Sequence, residues 1–391
     1  MQNNQLTTTI FCSAKTQYEN LGDLIINKTL LSLMRNYGSL LIDDYEVPEW
    51  FCQELEIKDN ERASKHYGKL TRKLIFIFTL KRLFQPNNRI YLLLTPGHTY
   101  HSEKSYSVTG VIKNLISFLV LRLIGVRICR FGASIGPFAT ISRISERWQA
   151  KFMYFYSVRD NISKEYAHKI GIDKVQIFPD LAWIMEKPSH QDTNFNIDGE
   201  YVLFSFRKSS HELDDPINYQ SSLYTTLDEI VKLVCTDWQK KLVISYQVSR
   251  DYEVCKNIMD RYKGFYEIIF IEEQIDRRSV FSLYSHASMI FSNRLHVLMF
   301  AMICGSIPVA VVDASKHDKI TGIFSDAGLM RLVIDIRNGV DQLKVLSNIA
   351  INTKTIKEQI ATCIKQRKNT AEYILQSVMC DADKFENSHK S

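Results

Sequence analysis

The chain lacks the signatures of several common protein classes. Its eight cysteines, at positions 12, 52, 129, 235, 255, 304, 363 and 380, form no Cys-x-x-Cys pair and no Cys/His cluster. Neither a disulfide framework nor a metal site is therefore expected, and several of these thiols lie in apolar runs, where they read as reduced core residues of a cytoplasmic protein. Dense Lys/Arg blocks are missing too, so the formal charge of +6 gives no nucleic-acid footprint, although it suits anionic substrates or an acidic membrane surface. No uninterrupted apolar run reaches the length of a bilayer span. The most apolar stretch, Val108 to Val126, is broken by Lys113 and Arg122 and reads as a buried or partly interfacial helix. The polar N-terminus has no basic n-region and runs straight into the first expected strand, which argues against a targeting segment. Short-period repeats and low-complexity tracts are also missing.

What the chain does have is length, apolar content and alternation. With 391 residues, 45% of them apolar, it suffices for two ordinary domains with ample core. Strand and helix patterns alternate throughout. The first half offers strands near Thr8–Cys12, Leu40–Asp43, Ile90–Leu94, Val126–Phe131, Phe152–Val158 and Val175–Phe178, with a basic, mostly helical segment from Glu61 to Leu83 and a helix Asn161–Ile170 capped by Asn161. The second half offers strands at Tyr201–Phe206, Leu242–Tyr246 and Tyr266–Ile271, then a strand from Ser288, an apolar helix closed by Gly305 and another strand reaching Asp313; the tail after Asp341 reads as helical. The polar stretch Glu186–Gly199 reads as a linker, dividing the chain into residues 1–188 and 200–391. Such alternation predicts an α/β protein of two Rossmann-like domains facing across a cleft.

In open parallel sheets, ligands bind beyond the carboxyl ends of the strands, where helix N-termini add free N–H groups and a positive dipole end. In the second half those positions carry Arg207, Arg294, His296 and Lys319, a set able to grip and protonate an anion. In the first half the corresponding loops carry Asn20 and Asp23 around Gly22, His98 in Thr95–Tyr100, Ser134 between two glycines, and the pair Arg159–Asp160. For that pair a buried structural role competes evenly with ligand contact.

Five short motifs in order then carry a resemblance. Asn20-Leu-Gly-Asp23, Ser134-Ile-Gly-Pro-Phe138, Val158-Arg-Asp-Asn-Ile-Ser163 with Pro179–Asp180 beyond it, Arg294-Leu-His296 and Lys319-Ile-Thr-Gly322 together resemble the polysaccharide pyruvyl transferases, from about Asn20 to Leu329. That resemblance implies a GT-B-like fold and transfer of pyruvate from phosphoenolpyruvate to a sugar of a cell-surface glycan, capsule or exopolysaccharide, or of its lipid-linked precursor, as a ketal. One departure is visible: members commonly carry a glycine run where this chain has Thr95-Pro-Gly-His-Thr-Tyr100.

Phosphoenolpyruvate carries a phosphate and a carboxylate, which guanidinium forks suit, and Arg207, Arg294 and Lys319 supply cations on the donor side. His296 fits the acid that protonates the methylene carbon. Asn20, Asp23, His98, Arg159 and Asp160 fall to the acceptor side. The base stays open among Asp23, Asp160, Glu272 and Glu273. Neither metal nor cofactor is expected, and a lipid-linked acceptor implies a cytoplasmic protein with peripheral contact at the inner face of the plasma membrane. Two rivals share parts of the pattern: a nucleotide-sugar glycosyltransferase of GT-B type, for which no clear Glu-x7-Glu arrangement follows Arg294, and a non-catalytic glycan-binding protein, which needs no Arg-x-His corner.

Overall fold

The computed structural model describes residues 7–68, 75, 79, 88–99, 108–186, 195, 197–208, 216–338 and 343–380. The chain forms two compact units, the first made of Met1–Tyr18, Asp23–Met185 and Lys368–Ser391, the second of Glu19–Gly22 and Glu186–Arg367. The tail therefore differs from the expectation of a continuous 200–391 domain. Its last turns bury Ala371, Leu375, Val378 and Met379, and the Tyr91 hydroxyl donates to the carbonyls of Val378 and Met379 at 3.3 and 3.5 Å, which ties this end to the first unit.

In the first unit β1 (Thr7–Ser13), β2 (Ser39–Asp43), β3 (Asn88–Leu93), β5 (Arg127–Ile135), β6 (Phe155–Val158) and β7 (Gln176–Ile177) form a sheet in the order β2-β1-β3-β5-β6-β7. All pairings are parallel. Strands covered on both faces must be apolar along their length, and β5 and β6 are buried nearly throughout. Thr95–Tyr100, read as a loop, contains a further strand, β4 (Gly97–Thr99), which pairs with β5 so that His98 lies opposite Ser134. Gly97 supplies the required backbone there, at φ +106°.

Helices α1 (Leu21–Met34), α2 (Glu49–Glu54), α3 (Ala63–Tyr67), α4 (Val108–Leu123), α5 (Thr140–Phe152) and α6 (Asn161–Lys169) connect these strands. Of the basic segment expected to be helical from Glu61 to Leu83, α3 is described and most of the remainder lies outside the described residues. The cap of α6 is corrected by one position. Asp160, not Asn161, sits in extended backbone before the helix and accepts from the Ser163 N–H at 2.6 Å.

The second unit carries β8 (Tyr201–Ser205), β9 (Lys241–Ile244), β10 (Ile268–Phe270), β11 (Ala287–Ser292), β12 (Ile307–Val312) and β13 (Val333–Asp335), all parallel, in the order β10-β9-β8-β11-β12-β13. The connections run one way from β8 to β10 and the other way from β11 to β13, so the order reverses between β8 and β11. Helices α7 (Pro216–Lys232), α8 (Tyr252–Tyr262), α9 (Ser279–His286), α10 (Leu295–Cys304), α11 (Asp318–Asp326), α12 (Leu343–Ile351) and α13 (Thr353–Met379) complete the chain. Helix α10 is apolar all round and buried from Val297 to Cys304, as a core helix must be. Gly305 ends it in the left-handed conformation at φ +86° and donates to the Met302 carbonyl at 3.1 Å. Strand β13 escaped the sequence reading because three residues are too short to show a period.

Candidate functional site

The strand order reverses between β8 and β11, and in open parallel sheets such a reversal is where ligands bind beyond the carboxyl ends. Arg207 lies just past β8 and Arg294 just past β11. Asn293, fully buried, binds the two strand ends together: its Oδ1 accepts from the Arg207 N–H at 2.8 Å and its Nδ2 donates to the Arg207 carbonyl at 3.1 Å. Ser292 turns the chain beneath it, donating to the Ser205 carbonyl and accepting from the Arg294 N–H at 2.9 Å. These bonds satisfy backbone groups that strand and helix both leave unpaired, and they fix Arg294 as the residue before α10.

Asp251 approaches Arg294 from the next strand over. It follows β9, is almost fully buried, and its carboxylate forms an ion pair with the Arg294 Nε. The pair holds the guanidinium by one edge, at the first turn of a helix whose dipole already favours an anion. Two positions past Arg294, His296 is half-buried and its ring stacks on Phe300 at 6.1 Å between centroids. Glu19–Gly22, grouped with this unit, closes on the same ring. A Cβ added to Gly22 would stand 2.0 Å from His296 Nδ1, so only glycine allows the backbone this near. Ser249 donates to the Glu19 carboxylate at 3.1 Å and Gln274 Nε2 to the Glu19 carbonyl at 3.2 Å, which pins this short segment in place.

The linkage extends toward Lys319. Asn293 Nδ2 also donates to the Tyr219 hydroxyl at 3.1 Å, and the Tyr219 ring stacks on His317 at 5.7 Å. His317 shares a 2.9 Å hydrogen bond with the Asp313 carbonyl and begins α11, whose first turn holds the half-buried Lys319. Lys319 thus sits within a helix, not directly at a strand end as expected. One potential nucleophile is ruled out by its surroundings. Cys255 donates from Sγ to the carbonyls of Phe206 and Ser245 at 3.3 Å, and burial pushes its thiol up to about 12, so it stays protonated near neutrality.

The residues read as an acceptor side are not brought together in the same way. Asn20 belongs to the second unit, where its Oδ1 accepts from the Gly22 N–H at 3.1 Å and caps the entry to α1. Asp23 belongs to the first, accepting from the Thr16 hydroxyl at 3.0 Å. His98 lies in β4, not in a loop. Arg159 and Asp160 take the buried structural role that competed evenly with ligand contact, and both side chains are 2% exposed. Arg159 donates to Asp180 and to Ser134, Ser134 donates to Asp160 at 2.8 Å, and Asp160 caps α6. Their polar atoms fasten three strand ends together and face no solvent.

Sequence reasoning missed Asn293, Asp251, Tyr219 and His317. Asn293 was adjacent to the motif, and the strand-end rule extended to β9 leads to Asp251. Tyr219 and His317 had no such signal, since a tyrosine inside a helix and a histidine among Ser-Lys-His-Asp-Lys read as ordinary.

A family model described as polysaccharide pyruvyl transferase matches residues 20–314. Comparison with curated proteins returns no match. Among solved structures the chain is similar to a glycosyltransferase from Rickettsia africae, with 10% identity, 96% of this chain and 98% of that one covered, and a TM-score of 0.59. It is also similar to the UDP-GlcNAc 2-epimerase of Neisseria meningitidis bound to UDP-GlcNAc, with 14% identity, 95% and 99% covered, and a TM-score of 0.55. At such identities the likeness shows the fold alone, two Rossmann-like domains of the GT-B kind.

Proposed function

The chain belongs to the polysaccharide pyruvyl transferase family, and from that premise we propose that it moves pyruvate from phosphoenolpyruvate onto a sugar of a cell-surface polysaccharide or its lipid-linked precursor, forming a ketal. The observation that carries this reading is the Arg294–Asp251 pair, set beside His296 where the strand order reverses. A donor with phosphate and carboxylate needs more than one cation, and Arg294, Arg207 and Lys319 lie on connected elements around that point. Asp251 fixes the orientation of Arg294 and tempers its charge, which aims the guanidinium without burying it unpaired.

His296 delivers a proton to the methylene carbon of the donor, and the adjacent carbon becomes cation-like and accepts one sugar hydroxyl. The carbon–oxygen bond to phosphate then breaks and a second hydroxyl closes the ketal. Of the two hydroxyl protons released, one replaces the proton used at carbon and the other leaves with phosphate. The Gly22 backbone, pressed against the imidazole, limits its rotation and so orients it for that transfer. Asp23 and His98 serve the acceptor, whereas Arg159 and Asp160 serve the fold. Cationic side chains neutralise the donor, so no cofactor takes part and turnover persists in a chelator.

A nucleotide-sugar glycosyltransferase would use the same strand ends as a diphosphate clamp, a reading with which the GT-B fold of the neighbours is consistent. The two readings separate in one experiment. Phosphoenolpyruvate should raise the melting temperature of the full chain and, with a glycan acceptor, release inorganic phosphate, while nucleotide sugars should do neither. Stabilisation by a nucleotide sugar, with no phosphate released from phosphoenolpyruvate, would transfer the assignment to the second reading.

A further inference from the structure

The first unit exposes an apolar face that its fold does not use. Helix α4 turns Val108, Ile112, Ile116, Leu119 and Leu123 to solvent, the last at 75% exposure. Steps of three and four place them on one side of the helix, opposite the buried Val111 and Leu121. Helix α5 packs alongside and exposes Ile141, Ile144 and Trp148 in the same rhythm. A ridge shared by two neighbouring helices exceeds the scattered exposed apolar residues of an ordinary surface.

The exposed charges on these two helices have a single sign. Lys113 and Arg122 on α4, and Arg143, Arg147 and Lys151 on α5, are all exposed. Lys151 Nζ lies 4.4 Å from the centroid of the Trp148 ring. The one carboxylate in either helix, Glu146, is buried in an ion pair with Arg130 and faces away from solvent. At the end of α4 a cavity of about 550 Å³ continues the pattern, lined among others by Arg122, Arg147, Lys151, Lys174 and Tyr154, with Asp173 as its sole acid. Among the described residues no helix is long and apolar enough to cross a membrane.

We propose that this two-helix face docks the chain onto an anionic phospholipid bilayer. The apolar ridge enters the acyl boundary, Trp148 sits at headgroup depth, and the five cations, with the basic cavity, engage lipid phosphates. A second copy of the chain fits less well, because a symmetric contact would set like charges against each other. The surface deepens the functional reading, since a lipid-linked acceptor lies at such a membrane, but it rests on its own residues.

The test is sedimentation of the full chain with vesicles of phosphatidylcholine alone or with added phosphatidylglycerol. Binding should require the anionic lipid and weaken with salt. Ile116→Ser and Leu123→Ser, both at exposed positions that leave the fold intact, should each lower partitioning about tenfold. Arg143→Gln and Lys151→Gln should each lower it about fivefold. Equal sedimentation of wild type and the serine variants overturns the proposal, as does a dimer in solution that those variants abolish without any vesicle binding. Phosphate release with a soluble acceptor reports on the chemistry separately, so failure of one reading leaves the other measurable.

Discussion

In the first unit Arg159 follows β6 and closes onto Asp180 and Ser134, while Asp160 caps the next helix; in the second unit Arg294 follows β11, pairs with Asp251, and stands two residues before a half-buried histidine. Both corners place an arginine and an aspartate past the end of a parallel strand. Exposure divides them: the Arg159 side chain is 2% accessible and that of Arg294 is 11%. The first corner is saturated by its own neighbours, so its charge holds strand ends together. The second keeps accessible cationic surface next to a titratable ring, which is the condition for holding and protonating an anion.

The largest effect is expected in the second corner. If Arg294 grips the donor and His296 protonates it, His296→Ala should reduce turnover by about a hundred- to ten-thousand-fold and leave phosphoenolpyruvate affinity nearly unchanged. Arg294→Ala should chiefly weaken the binding isotherm. A wild-type rate in His296→Ala would move the proton donor elsewhere, with His98 next in line, and would erase the functional contrast between the corners.

A loss of similar size but different kind is expected in the first corner. Removing one partner of a buried ion pair strands the other charge and costs about 3–5 kcal/mol. Arg159→Ala should therefore lower stability in urea by that amount, whereas Arg294→Ala should lower it less, because it removes one ion pair where Arg159→Ala removes an ion pair and the hydrogen bond to Ser134. Should both variants lose the same stability, the corners are equally structural.

Much of this was legible before any coordinates. The long buried strands and the apolar helix closed by Gly305 announced themselves through apolar runs and punctuation, and the α/β class followed from their alternation. The order of the strands did not, because register and neighbour choice arise from packing between distant segments. The site was half legible for the same reason. Arg294 and His296 stood in one motif, but Asp251 lies more than one element away, and nothing local marks it as the partner of Arg294 in preference to a solvated carboxylate. The even choice left at Arg159 and Asp160 has the same origin, since the residue that pairs with Arg159 is Asp180, on the far side of α6. Gly22 shows the limit most plainly: its turn was readable, its approach to His296 was not.

The smallest effect concerns a third corner, which extends the comparison to the strands flanking each unit's first. Asp44 follows β2 much as Asp251 follows β9, and it too meets an arginine: Arg62 Nε donates to it at 2.7 Å, with Ser64 donating from N–H and hydroxyl at 2.8 and 2.6 Å. Burial pushes the Asp44 carboxyl up, but the bonds from Ser64 and Arg62 outweigh it and hold the group below the ordinary carboxylate range. A folded-state value below the unfolded one, near ~3.9, means the stabilisation is present above that pH and is lost as pH falls through the folded value. Asp44→Asn should then cost about 1–3 kcal/mol at neutral pH, from weakened hydrogen bonds to a charged group, with the gap to wild type narrowing once the pH drops below about 4. Urea denaturation of both proteins at pH 7 and pH 3 measures it. A gap of the same size at both values would mean that Asp44 acts through shape and not through charge, and that the closed corners of the first unit are held by packing.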